Sequence, residues 1–109
     1  MKNILFLKQS PELKNFQQYI KEMTKLRGFD KETIAELFML FLEKSGEFVR
    51  AARKTAGIKS DVNKIVNSNL KHEAADVFIY LLTICNKLGI DLESAFRKKE
   101  EINNSRTWA

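Results

Sequence analysis

The chain has 109 residues, 44% of them hydrophobic, and 19 Lys and Arg stand against 14 Asp and Glu for a formal net charge of +5. That length fits one domain over residues 1–109, with enough apolar material for a core that needs no disulfide or structural metal. No apolar run reaches the length of a membrane span, a single cysteine excludes an internal disulfide, and the positive balance suits anionic partners such as phosphates.

The opening stretch MKNILFLKQ holds a short apolar run behind a lysine. It is too short for a signal peptide, and no small-residue cleavage site follows it. The lone thiol, Cys85, lies inside the apolar run FIYLLTIC, so a small core residue in a reducing cytoplasm is the expectation. Proline occurs once, glycine four times, and β-branched alternation is scarce, which predicts an all-α protein. QSPEL starts the first helix, with Ser10 as cap and Pro11 at the first helical position; Gly28 ends it after Arg27. Asp30 caps a second helix through KETIAELFMLFLEKSGEFVRAARK to about Thr55, and AGIKSDVNKIVNSN is a polar connector. A third helix covers about Leu70 to Leu88 and stops at Gly89; Asp91 caps a fourth from about Leu92 to Asn103, leaving the tail NSRTWA. There is no internal repeat and no long heptad array.

The second helix repeats Ile34, Leu37, Phe38, Phe41, Phe48 and Ala52 at helical spacing. The third is apolar over more than half its circumference, through Val77, Phe78, Ile79, Leu81, Leu82, Ile84, Cys85 and Leu88. Such a helix needs cover on more than one side. The expectation is that another subunit supplies part of it; a compact monomeric bundle around a central helix is the alternative.

Acids stand at the edges of these apolar faces. Glu73 and Asp76 share one side of the third helix, being three residues apart. Two carboxylates at a core edge repel, and burying them is costly without a cation or donors. Two readings stand: a solvated, capping helix start, or paired oxygens for Mg²⁺, which takes carboxylates together with water and substrate phosphates. Glu47 holds a comparable edge of the second helix beside Gly46. A helix-interior glycine costs about 1 kcal/mol against alanine, so Gly46 suits either a close approach by a backbone or ligand or simple helix packing.

EKSGEF, EAAD and KKEEINNSRTW, in that order and spacing, resemble MazG-like proteins of the all-α nucleoside triphosphate pyrophosphohydrolase superfamily. The family pattern is Glu-Glu-x-Gly-Glu-Leu on one helix, Glu-x-x-Asp on a later one, and a Lys…Asn…Arg tail. LRGF resembles the family's Arg-Gly-Trp segment, and LGIDLESAFRKK its junction between the last two helices; the likeness covers about Phe16 to Trp108. It implies a MazG-like bundle of four main helices, completed by oligomerisation as a homodimer or dimer of dimers. It also implies Mg²⁺-dependent hydrolysis, with Mn²⁺ as an alternative ion, of a nucleoside triphosphate to monophosphate and pyrophosphate, in nucleotide-pool housekeeping.

By position, the implied catalytic and metal acids are Glu47, Glu73 and Asp76, and the fourth ligand slot falls on Lys44. Protonated lysine cannot ligate Mg²⁺. It can pair with Glu47 or Glu73, or contact a phosphate as a point charge. Glu43, at i, i+4 from Glu47, is the nearest substitute ligand, though it points roughly 100° away from Lys44. Lys99, Asn103 and Arg106 match the tail and imply a phosphate grip, where a basic helix end is the plain reading. Phe29 and Trp108 are candidates to stack on a base or to pack at the core margin, and His72 reads as a surface residue. The rival functions are a catalytically weak nucleotide-binding or regulatory protein on the same fold, and a small basic nucleic-acid binder. The acids interspersed through the helices argue against the second.

Overall fold

A computed structural model describes residues 5–57 and 68–106, and of 55–57 and 68 the backbone alone. All regular structure among the described residues is helical, as the composition predicts. Helices α1 (Leu13–Leu26), α2 (Ile34–Gly57), α3 (Ser68–Leu88) and α4 (Leu92–Asn104) follow in order, with one 3₁₀ turn at Phe29–Lys31 between α1 and α2. None of these helices is long and apolar enough to cross a membrane.

Local chemistry sets the helix ends, and at two of them it differs from the expectation. The first helix is capped at Glu12 and not at Ser10. Glu12 is extended (φ −90°, ψ 168°), and its N–H donates to Asn15 Oδ1 at 2.7 Å, which leaves Pro11 outside the helix. The second helix is capped by Thr33 and not by Asp30, which lies in the 3₁₀ turn. Thr33 Oγ1 accepts from the Glu36 N–H at 3.1 Å, and Glu36 Oε1 accepts from the Thr33 N–H at 2.8 Å. This reciprocal capping box satisfies two otherwise orphaned donors, and the T-x-x-E pattern announces it in the sequence. Asp91 does cap α4, accepting from the Ser94 N–H at 3.2 Å. Gly28 and Gly89 end α1 and α3 at φ +77° and +72°, left-handed positions where a side chain is strained. Helix α3 starts two residues before Leu70, and most of the AGIKSDVNKIVNSN connector lies outside the described residues.

Helix α3 is central. It packs along α2 over the largest interface and against α1 on another side, while α4 lies on α1. The core joins Ile20 and Met23 of α1, Leu37 of α2, and Leu82, Ile84 and Cys85 of α3. Leu82 is fully enclosed, with Phe16, Tyr19, Ile79 and Leu92 around its cluster, and Phe16 meets Phe78 edge-on at 5.5 Å. Much of the cover on α3 is therefore internal to the chain. Burial pushes the Cys85 thiol up, consistent with an unreactive core residue.

Gln17 ties three elements together. Its Nε2 donates to Asn86 Oδ1 and to the Ile90 carbonyl, both at 2.9 Å, and its Oε1 accepts from the Leu92 N–H at 2.9 Å. Asn86 Nδ2 returns a bond to the Gln17 carbonyl at 2.9 Å. These bonds fix the α3–α4 corner against α1.

Thr33→Ala removes half of the capping box and should lower stability by about 1 kcal/mol, whereas Asp30→Ala should change little. Urea denaturation of the two variants checks this; a larger loss for Asp30→Ala would return the cap to the position first expected.

Candidate functional site

At roughly 100° per residue, Lys44 and Glu47 fall along the margin of the Leu37–Phe41–Phe48 face that α2 turns toward α3. Glu73 and Asp76 sit one turn apart on α3. The structure brings Lys44 together with Glu47, Nζ to Oε1 at 3.6 Å, with 30% and 43% of the two side chains still exposed. Glu47 chiefly holds the lysine's pKa above its ordinary value, with help from Asp76, Tyr80 and Glu43, while burial opposes. A raised lysine pKa means this ion pair stabilises the fold fully below the ordinary value of 10.5 and loses its effect as pH rises through the elevated one. The ammonium is thus a fixed positive charge at neutral pH, standing among carboxylates.

Tyr80 follows Asp76 by one turn. Burial raises its pKa first, the Glu32 carboxylate next, then Asp76 and Glu43, while Lys44 lowers it. The phenol remains a hydrogen-bond donor pointed into an acidic neighbourhood. Neither Tyr80 nor Glu32 stands out by sequence. Tyr80 continues the apolar spacing of α3, and its one signal is the i, i+4 relation to Asp76; Glu32 precedes the helix and belongs to no periodic face.

Glu73 Oε1 is the one buried side-chain oxygen among the described residues without a hydrogen-bond partner. A buried carboxylate oxygen left so is an acceptor awaiting a donor or a cation.

A cleft of about 160 Å³ opens beside Asp76, which lines it with Tyr80 and Thr83 of α3, Met23 and Arg27 near the end of α1, and Phe29 and Glu32 of the connection. Phe29, nearly half exposed, also borders a second cleft of about 180 Å³ that carries Lys21, Lys25 and Lys87. Arg27 is the one cation among the residues that line the Asp76 cleft, and the LRGF stretch is the signal that marks it. Glu43 is exposed and lines an open groove of about 450 Å³ with Glu32 and Glu36.

The other sequence candidates lie elsewhere. Lys99, Asn103 and Arg106 sit at the far end of α4, which packs on α1, and no α4 residue lines the Asp76 cleft. Asn103 Nδ2 donates to Glu100 Oε2 at 2.9 Å. Trp108 is outside the described residues, and His72 is exposed as expected. Among the described residues Gly46 makes no close helix contact, since a Cβ there would meet none of them within 4 Å.

Among the described residues, no three His, Cys, Asp or Glu side chains converge as a preformed metal cage. The donor chemistry still suits a hard cation held by one or two carboxylates and completed by water and substrate phosphates, which is how Mg²⁺ binds. The unpartnered Glu73 oxygen is the observation that favours this fit.

Over 57 residues the chain is 35% identical to a protein of cyanophage S-2L named dATP/dGTP diphosphohydrolase, a match that covers 50% of this chain and 54% of that one. The chain spans about half the length of the curated relative it matches. No family model and no solved structure matches it.

In a Tyr19→Phe background, the absorbance titration of Tyr80 should report the charges around it. Glu32→Gln should lower its pKa, Asp76→Asn should lower it less, and Lys44→Met should raise it. A Tyr80 titration indifferent to all three substitutions would separate the phenol from the acid cluster.

Proposed function

We propose that the chain is a MazG-like nucleoside triphosphate pyrophosphohydrolase that cleaves the α–β phosphoanhydride, releasing a nucleoside monophosphate and pyrophosphate. One observation carries this reading: the Lys44 ammonium, in the slot where the motif has a carboxylate, is held by Glu47 and felt by Asp76, one turn from Glu73 on α3, whose buried oxygen has no partner. The similarity to a dATP/dGTP diphosphohydrolase supports it and makes dATP and dGTP the first substrates to try.

Glu47, Glu73 and Asp76 are the residues that would hold Mg²⁺, or Mn²⁺ in its place, with Glu43 as an outer contributor. Held there, the ion would supply charge to offset the phosphates and would lower the pKa of a water bound to it. Three carboxylates and one ammonium sum to −2, which balances one divalent ion and not two. Lys44 contacts a substrate phosphate as a point charge, replacing part of the positive charge that a second ion would bring. Glu47, tethered to Lys44, accepts the proton of the attacking water as pyrophosphate departs. Phe29, at the mouth of both clefts, stacks on the base. Lys99, Asn103 and Arg106 lie outside the Asp76 cleft of their own chain, and we assign them to phosphates in the site of a second copy, within a homodimer or dimer of dimers. The role is nucleotide-pool housekeeping.

The same lysine favours a second reading, a nucleotide-binding or regulatory protein on this fold that turns over little. A panel of ribo- and deoxyribonucleoside triphosphates with Mg²⁺ or Mn²⁺, scored for pyrophosphate, separates the two. Slow metal-dependent release is the expected outcome; nucleotide binding with no pyrophosphate from any member of the panel selects the regulatory reading.

Substituting Lys44→Glu restores the family pattern. It should raise turnover at least ~10-fold, about 1.4 kcal/mol of barrier, and destabilise the metal-free protein by adding a like charge. Unchanged or lower turnover would make Lys44 a working phosphate contact, and Lys44→Ala should then raise KM. Asp76→Asn should abolish metal binding, measured by calorimetry, while thermal stability holds or rises slightly. A variant that binds Mg²⁺ as well as the parent would remove Asp76 from the metal site.

A further inference from the structure

We propose that the cleft bounded by Lys21 and Lys25 of α1 and Lys87 of α3 is a second anion site, separate from the acids, and that it takes a small phosphate monoester. Lys21 and Lys25 stand one turn apart on α1, and Lys87 reaches the same cleft from the last turn of α3. Lys87 Nζ donates to the Asp30 carbonyl at 3.4 Å, which stations its ammonium beside the 3₁₀ turn. None of the three lysines forms an ion pair among the described residues, although Asp30 lines the same cleft. Like charges one turn apart on a helix are unfavourable, and a third brought in from another helix adds to the repulsion. Helix ends favour cations, which explains the sign of Lys25 and Lys87, each in a last turn. It does not explain Lys21, nor the meeting of all three at one concave, largely apolar surface.

The lining chooses the ligand. Leu37, 1% exposed, forms the floor, with Phe29 at its edge. Thr24 and Thr83 line the cleft too, but their hydroxyls donate to carbonyls of their own helices, those of Lys21 at 3.0 Å and Ile79 at 2.7 Å. The ammoniums on the rim therefore remain as the main donors. Three of them and the Asp30 carboxylate sum to +2, which matches a phosphate monoester dianion and exceeds what a monocarboxylate offsets. A nucleoside triphosphate carries more negative charge than this rim neutralises. It would need a divalent ion, and Asp30 is the one carboxylate in the lining among the described residues. At about 180 Å³ the cleft is also smaller than those that enclose whole drug-sized ligands, which start at roughly 300 Å³. The phosphate lies against the lysines, and a short sugar-sized stem lies over Leu37 and Phe29. Thr24, Phe29 and Thr83 line this cleft and the Asp76 cleft alike, so an occupant here touches the wall of the acid cleft. Two sources share the chemistry: the sugar–phosphate end of a nucleoside monophosphate, which rests on the hydrolase reading above, and an independent sugar phosphate. The site itself stands on charge and shape under either.

An amide chemical-shift titration tests it, with no divalent ion present so that the carboxylates on the Asp76 side repel anions. The probes are inorganic phosphate, 2-deoxyribose 5-phosphate and dAMP. Deoxyribose 5-phosphate should bind several-fold more tightly than inorganic phosphate and shift Thr24, Phe29, Thr83 and Lys87. Lys21→Gln and Lys87→Gln should each weaken it several-fold, and Asp30→Asn should tighten it. Lys14→Gln removes the same charge from α1 outside this cleft, at a residue paired with Glu12 at 3.5 Å, and should change affinity little. If dAMP binds as tightly as the sugar phosphate, the site takes the nucleotide product; if dAMP binds more weakly, it takes an independent sugar phosphate, and both results support the site. No shift in the cleft with any probe, deoxyribose 5-phosphate no tighter than inorganic phosphate, or a loss from Lys14→Gln equal to that from Lys87→Gln would each overturn the proposal. Absence of pyrophosphate release from the nucleotide panel leaves this titration unaffected, so the two readings fail separately.

Discussion

A single ammonium placed among carboxylates is the constraint on which the site depends. Helices α2 and α3 meet along an apolar strip whose margin carries Glu47 from one side and Glu73 and Asp76 from the other. Carboxylates so close to a core favour separation unless positive charge joins them. Lys44 supplies positive charge from α2, in an ion pair with Glu47 one turn on, and its charge is felt by Asp76 of α3. Its pairing with Glu47 is partly exposed, which makes it a modest contribution to stability. Its larger effect is on the site's chemistry, because it alters how much positive charge the acids still call for.

The rest of the fold delivers groups to that margin. The tight turn at Gly28 reverses the chain after α1, and the short 3₁₀ turn behind it presents Phe29 and Glu32 before the Thr33–Glu36 box starts α2. Arg27, Phe29 and Glu32 therefore arrive at the Asp76 cleft from one short connection. The Gln17–Asn86 bonds hold the C-terminal end of α3 against α1, the two helices that wall the cleft.

What was legible in the sequence was mostly local. Left-handed ends at Gly28 and Gly89 and the cap at Asp91 depend on one residue's conformational or hydrogen-bonding capacity, and each could be read directly. Asp30 misled because two capping residues lie three apart; the Glu36 partner that decides for Thr33 becomes decisive only when the reciprocal box is weighed against a lone acid. Helical spacing found Leu37 of the α2 core and the half-buried Ile34, Phe41, Phe48 and Ala52, but it also placed Phe38 there, which stays exposed, and it missed the outward row of Met39, Leu42 and Val49, since a helix apolar on two sides blurs its own periodicity. Tyr80 was hidden for a related reason: spacing places a tyrosine ring in a core and says nothing of where its hydroxyl emerges. The motif acids were legible as residues. That Lys44 leans on Glu47, and that a Glu73 oxygen stays unpartnered, are tertiary facts that no spacing rule contains.

The central claim is that Lys44 occupies cation space, so that a divalent ion enters with the nucleotide and not before it. Mn²⁺ binding followed by electron paramagnetic resonance tests this most directly, on the protein alone and with a non-hydrolysable deoxynucleoside triphosphate analogue. Weak binding by the free protein, becoming tight and close to one ion per chain in excess of that bound by the analogue alone, is the predicted result. Tight binding of two ions by the nucleotide-free protein would contradict the account.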